Sequence, residues 1–287
     1  MGEIPRNLQP LLDGDIIKYE IGFAAETGWK AMTRSQEYPP WPFVQSMLED
    51  RIRIIKNNCF TNKDPIIYIT EGKTFRYDIA KRKPYKAQRK ESKPFHFNNL
   101  HVYMRDILKA RIITGIEADD AMAIDHTASN LTTILCSRDK DLKQVPGYFY
   151  SWELGRQPSW GPELITQAGS LMLSPDNKKL TGTGLSWFYA QVLTGDVTDN
   201  IPGCPNIGPA KAYEMLNEKS SEEQLEAVMK AYQEHYGLFI RNGENVAQEL
   251  IDNPFLIADW ETELTEQGRL CWLLRKPDQE WELGVVD

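Results

Sequence analysis

Histidine and cysteine are scarce in this chain, with four of each among 287 residues. Cys59, Cys136, Cys204 and Cys271 lie far apart and form no C-x-x-C pair. Neither structural zinc nor a disulfide framework is therefore expected, and a reducing, cytoplasmic setting fits. So few histidines give imidazole-based catalysis little support, and His126 has no second His or Cys near it in the sequence. No apolar run approaches the ~18 residues of a membrane span. The opening MGEIPRNLQP shows no basic stretch followed by an apolar one, so no signal peptide is expected. Internal repeats and low-complexity tails are also missing.

What is present is an ordinary globular composition, 41% hydrophobic and 26% charged, long enough for about two domains. The net charge of -8 argues at first against a polyanionic partner, but its distribution reverses that argument. Residues 81–93, KRKPYKAQRKESK, hold seven Lys or Arg and one Glu, a local +6 that leaves -14 for the rest. Charges separated in this way suit cations in one place and phosphates in another.

Three apolar, partly β-branched runs, Leu8–Leu12, Pro65–Thr70 and Leu131–Cys136, predict buried parallel strands. Helical stretches are expected at Phe43–Lys56, Phe97–Lys109 and Ala118–Ser129. This alternation implies an α/β domain. Short strand-like pieces follow in GYFYSW and SLMLS. From Leu185 the pattern turns helical, at 185–194, 209–217, 221–236 and around 268–275.

The acids fall at meaningful places. Asp13 and Asp15 follow the first strand, Glu71 the second, Asp139 and Asp141 the third, and open α/β sheets build their sites at such strand ends. Glu117, Asp119 and Asp120 begin a helix, and Asp196 and Asp199 end another. Singly, each group can be a helix cap or a dipole-favoured acid. Together they would repel one another unless cations neutralised them. Oxygen ligands without His or Cys select Mg²⁺ or Mn²⁺. Two such ions about 4 Å apart could stabilise both the attacking and leaving oxygens of a phosphodiester displacement. The Gly-Lys-Thr of EGKTF is not a phosphate-binding loop, because Ile67 stands where that pattern needs glycine.

The order DGD, EADD, SRDKD and GDVTDNIPG…NIGPAKA resembles the 5′-nuclease family, over roughly residues 8 to 217, and most of all its phage-encoded exonucleases. That family also holds flap endonucleases and the 5′-nuclease domain of DNA polymerase I. The resemblance implies a Rossmann-like (PIN-like) α/β nuclease core, residues 1–182, with a helical arch in the basic stretch. It also implies a helical DNA-binding region, residues 183–287, with a helix–three-turn–helix. It further implies Asp13, Glu117, Asp119, Asp120, Asp139, Asp141, Asp196 and Asp199 as ligands of two Mg²⁺ or Mn²⁺ ions. Glu71, where the family usually has Asp, is included among the ligands because its longer side chain can reach a metal directly or through water. Asp15, outside the usual ligand set, is either an outer support of the site or a helix cap. Tyr85, Lys86 and Arg89 match DNA-contacting residues of the arch, with Arg76 as a further DNA contact upstream. Lys86 is implied as an electrostatic catalyst, and Asp139 of the D-x-D pair as the other catalytic residue. Gly203, Ile207, Gly208 and Lys211 match the duplex-gripping turn, where K⁺ often binds main-chain carbonyls. Here Cys204, Pro205 and Asn206 depart from the usual pattern.

The implied activity is metal-dependent 5′-3′ exonuclease or flap-endonuclease cleavage of DNA with a 5′ end or flap, with no membrane partner. A non-cleaving DNA-structure-binding protein on the same fold, or a ribonuclease acting on RNA or RNA–DNA hybrids, stays open. The near-complete acid set speaks against the first, and the Gly-Pro-rich turn against the second.

Overall fold

The computed structural model describes residues 4–88, 92–241 and 259–284. In chain order it begins β1 (Gln9–Asp13), α1 (Gly14–Thr33), α2 (Trp41–Asn58), β2 (Ile66–Thr74), α3 (Arg76–Ile79) and α4 (Phe97–Asp106). There follow β3 (Arg111–Gly115), α5 (Ala118–Ala128), β4 (Thr133–Cys136), β5 (Gly147–Ser151), β6 (Trp160–Ile165), β7 (Ser170–Leu173) and β8 (Leu180–Thr183). The chain continues through α6 (Gly184–Thr194), α7 (Pro209–Leu216), α8 (Ser221–Arg241) and α9 (Trp260–Cys271). These elements divide into two compact units. The first comprises residues 1–73, 90–142 and 147–164, the second residues 74–89, 143–146 and 165–287.

A six-stranded sheet of order β3-β2-β1-β4-β5-β6 organises the first unit. β1 pairs in parallel with both β2 and β4, and β4 pairs in parallel with β5. The parallel pairing is the one expected from the strand–helix alternation, and the order is doubly wound, its direction switching between β1 and β4. α1 buries Ile17, Ile21 and Ala25, one helical face at four-residue spacing. Gly14 admits this helix close to β2, since a Cβ there would stand 2.7 Å from the Tyr68 carbonyl oxygen. α2 buries Val44, Leu48 and Ile55 in the core formed with Leu12, Ile67, Ile69 and Ile134. Full burial of each such side chain contributes about 1.5–3 kcal/mol.

Three elements here, α1, β3 and β6, were not singled out by periodicity. α1 was obscured by Gly14, Gly22 and Gly28, which dilute its helical pattern. The edge strand β3 has only five residues, none of them buried. β2 also runs on to Thr74, so Glu71 lies within the strand rather than after it.

In the second unit β7 and β8 form an antiparallel hairpin, and α6 is the central helix, buried from Gly184 to Leu193. Tyr232 of α8 donates its hydroxyl to the Val192 carbonyl, 2.8 Å away. α9 ends at Cys271, earlier than the helical stretch expected around 268–275. Tertiary partners take over there: Gln144 donates to the Cys271 carbonyl and accepts from the Leu273 N–H. Among the described residues, no helix is long and apolar enough to cross a membrane.

Candidate metal centre and nucleic-acid interface

Asp13 is the best-defined acid of the first unit. It ends β1, is 1% exposed, and caps α1 by accepting the Ile16 N–H at 3.0 Å. Its other oxygen accepts the Ser137 hydroxyl at 2.7 Å. Burial, then the charges of Asp15 and Asp139, raises the Asp13 pKa to about 7. Ser137, the first residue after β4, also accepts the Asp139 N–H, at 2.8 Å, and so ties the acids after two adjacent strands to one hydroxyl. Sequence reasoning passed over Ser137, although its place beside the S-R-D-K-D acids was the available signal.

The remaining acids of this unit have local partners. Asp15 accepts the Thr70 N–H and pairs with the buried ammonium of Lys18 at 2.9 Å, which pins α1 to β2. Glu117 and Asp120 form a reciprocal capping box at the start of α5, beside the half-buried Asp119. The Thr70 hydroxyl accepts the Ala118 N–H, so this helix start is fastened to β2. Asp139 accepts the Asp141 N–H at 2.8 Å, where a 3-10 turn begins. Glu71 points to His101 of α4, 2.8 Å away.

Among the described residues no three His, Cys, Asp or Glu side chains converge as a ready cation cage. The donor chemistry nevertheless fits a hard divalent cation. Asp13 sits buried under the repulsion of two neighbouring carboxylates, and such a cation would relieve it.

That strain has a measurable sign. A folded-state pKa above the unfolded value means stability is lost as pH rises from the ordinary carboxylate range through about 7. Asn caps a helix as well as Asp, its Oδ1 accepting the Ile16 N–H while its Nδ2 donates to the Ser137 oxygen. Metal-free Asp13→Asn should therefore melt several degrees above the parent protein at pH 8, and this advantage should shrink as pH falls toward 4. Thermal denaturation across pH checks this, and a lower melting point for the variant at pH 8 would refute the strain.

Asp196 and Asp199 belong to the second unit. Asp196 is buried and folds its own loop, accepting the Thr198 N–H at 2.7 Å and the Asp199 N–H at 3.3 Å. Asp199 accepts the Tyr85 hydroxyl at 3.0 Å, and its carboxylate lies 4.0 Å from the Lys86 ammonium. The described residues of the basic stretch, 81–88 and 92–93, are bend, turn or irregular rather than helix. Arg89 lies outside the described residues. Tyr85 is 5% exposed, packed edge-on against Tyr77, with the Lys86 ammonium over its ring.

Arg76 takes a place that its sequence neighbourhood does not disclose. It is 1% exposed and donates to the carbonyls of Leu270 and Trp272, closing the end of α9. No solvent-facing guanidinium is left there for a phosphate. Gly203, at φ 67, packs its backbone on Gly195 and donates its N–H to Gln267. Ile207 is buried, whereas Gly208 and Lys211 are exposed. Gly208 is the N-cap of α7, carries no side-chain cap bond and would meet nothing within 4 Å of an added Cβ.

No protein-family model matches the chain. A 5′-3′ exonuclease of Buchnera aphidicola subsp. Acyrthosiphon pisum is 25% identical over 270 residues, 88% of this chain and 84% of that protein. The 5′-3′ exonuclease of the subspecies Schizaphis graminum is 26% identical over 260 residues, 84% of this chain and 79% of its own length. DNA polymerase I of Rhizobium leguminosarum is 30% identical over 172 residues, 56% of this chain but 15% of the polymerase. Among solved structures, the T5 D15 protein crystallised with metal ions aligns over 91% of this chain and 92% of its own, at 17% identity and TM-score 0.45. The catalytic core of Rad2 in complex with DNA substrate aligns over 98% and 85%, at 13% identity and TM-score 0.48. The likeness expected from the acidic motifs is thus borne out in homologues named 5′-3′ exonuclease and DNA polymerase I.

Proposed function

From its homology to the 5′-3′ exonucleases, we propose that this chain hydrolyses DNA phosphodiester bonds at or near a 5′ end or flap. The observation that carries the chemistry is the buried, charge-crowded Asp13 beside Asp15 and Asp139, at the switch point of the parallel sheet. We propose Asp13, Glu117, Asp119, Asp120, Asp139 and Asp141 as the residues that hold Mg²⁺. Glu71 joins them only by leaving His101, and Asp196 and Asp199 extend the set by motif alone. When bound, the cations would activate water and neutralise charge developing on the phosphate. The Ser137 hydroxyl steadies the Asp13 carboxylate and the Asp139 backbone for that task. Lys86 is assigned by motif to the charge that grows on the scissile phosphate.

The functional division at 182 and 183 is part of the same proposal, with residues 183–287 gripping the duplex. The exposed start of α7 supports that role, since helix N-termini and backbone N–H groups receive phosphates. K⁺ at carbonyls of the Ile201–Gly208 turn is proposed on the motif alone. Gly208→Val should leave the fold intact, because space surrounds its Cβ and its φ of -97° suits any residue. It should weaken duplex affinity several-fold and equally across DNA sequences, measured by fluorescence anisotropy. A sequence-dependent loss would count against phosphate contact.

Digestion of 5′-labelled, 3′-labelled and flapped duplexes with Mg²⁺ tests the activity itself. Products released from the 5′ end or flap are expected, and release from 3′ ends alone would overturn the polarity. Failure to cut DNA while degrading RNA or a hybrid would favour the ribonuclease reading, and binding without cleavage the structure-binding one.

A further inference from the structure

We propose that Asn200 is a positioning residue that presents Lys86, by clamping both ends of the turn Pro84–Gln88. The inference rests on the catalytic role proposed above for Lys86 and adds what holds that lysine in place.

Lys86 occupies the left-handed region at φ 56. Such a conformation disfavours residues with a Cβ and persists where the surroundings over-determine it. The surroundings here are the loop Asp196–Asn200. The Asn200 side-chain amide donates from Nδ2 to the Pro84 carbonyl at 2.8 Å. Its Oδ1 accepts from Gln88 Nε2 at 2.9 Å. One planar amide thereby grips the first and last residues of the turn, with Lys86 midway between them. The Asp199 carbonyl accepts the Lys86 N–H at 2.9 Å, which fixes the middle. Asn200 is itself left-handed, at φ 61, a conformation that Asn adopts at little cost.

The chemistry explains why asparagine suits the position. Only a carboxamide offers a donor and an acceptor side by side on one short rigid group. Aspartate would lose the donor to Pro84, and alanine would lose both bonds. Asp199 engages Tyr85 and Lys86 directly, whereas Asn200 acts on Lys86 through the ends of the turn, the Pro84 carbonyl and the Gln88 side-chain amide. A shift of about 1 Å in a catalytic group can cost on the order of 100-fold in rate, so partial loosening should cost less.

The test uses Asn200→Gly, which tolerates the left-handed backbone, and Asn200→Asp, which is nearly isosteric. Each is made alone and combined with Lys86→Ala. Single-turnover cleavage of a 5′-flapped duplex is followed at saturating DNA with Mg²⁺, alongside DNA affinity. Asn200→Gly should slow cleavage about 10-fold and Asn200→Asp somewhat less, with affinity unchanged. In the Lys86→Ala background both should change the rate less than about 2-fold, because the group they position is gone. Limited trypsin digestion without metal gives a readout independent of activity. Cleavage after Lys86, mapped by mass spectrometry, should be several-fold faster in Asn200→Gly. Equal losses in both backgrounds would overturn the positioning role, and unchanged trypsin resistance would overturn the clamp. Should Lys86→Ala itself cleave like the parent protein, the catalytic reading of Lys86 falls and the proposal with it, whatever the digestion shows.

Discussion

Asp139→Asn is expected to reduce cleavage by on the order of 1,000-fold or more, while DNA binding survives or strengthens. A cation's charge stabilisation is worth several kcal/mol, and each 1.4 kcal/mol is about tenfold in rate. The fold should tolerate the change. The Asp139 carboxylate accepts the Asp141 N–H, and an asparagine oxygen can do the same. Removing one negative charge also eases repulsion against incoming phosphate, while burial and Asp15 continue to hold the Asp13 pKa up. Activity of the parent protein should disappear with a chelator and return with Mg²⁺ or Mn²⁺. Ca²⁺ should support binding with little turnover, owing to its looser coordination. Single-turnover cleavage with parallel binding measurements decides the matter. Full activity in the chelator, or an Asp139→Asn enzyme that cuts normally, would remove the acids from the chemistry.

Lys86→Ala is expected to lower the single-turnover rate about 100-fold at saturating DNA, the loss of roughly 3 kcal/mol that follows removal of one transition-state donor. Backbone effects do not confuse this comparison, because Ala and Lys meet the same left-handed penalty at φ 56. Lys81 and Lys83, both exposed, should behave differently. Their removal should weaken binding in a salt-dependent way and leave saturated turnover nearly unchanged. Lys86→Arg should rescue poorly, since a planar, delocalised fork does not replace a compact point charge on the phosphate. Comparison of Lys86→Ala with Lys83→Ala across salt concentrations measures the difference. Equal, purely affinity-based losses would leave the basic stretch as a phosphate-attracting patch.

The β-branched runs, the helices between them and the acids at strand ends could all be read from the chain because they are local. A strand needs a few adjacent apolar residues, and an acid after it is visible two residues later. The same locality explains the errors. α1 was missed because its glycines count against a helix unless their neighbours are known, and Gly14 is there for the approach to Tyr68. The apolar run Pro65–Thr70 ends before Glu71, which puts that acid after the strand, whereas β2 continues to Thr74.

By itself, the sequence determined the parallel α/β core, the order and spacing of the acids, and the separation of a +6 segment from an acidic remainder. Those properties follow from side-chain type and spacing, which no later packing can change. Only the tertiary structure decided what each polar group is engaged with. Ser137 reaches Asp13 across 124 positions, Tyr85 reaches Asp199 across 114, and Arg76 reaches Leu270 across 194. A buried donor or acceptor must find a partner or lose about 1–3 kcal/mol, and the partner it finds is whatever the folded chain brings within 3 Å or so. That requirement buried Arg76 against α9, gave the Gly203 N–H to Gln267, and left Gly208 and Lys211 facing solvent.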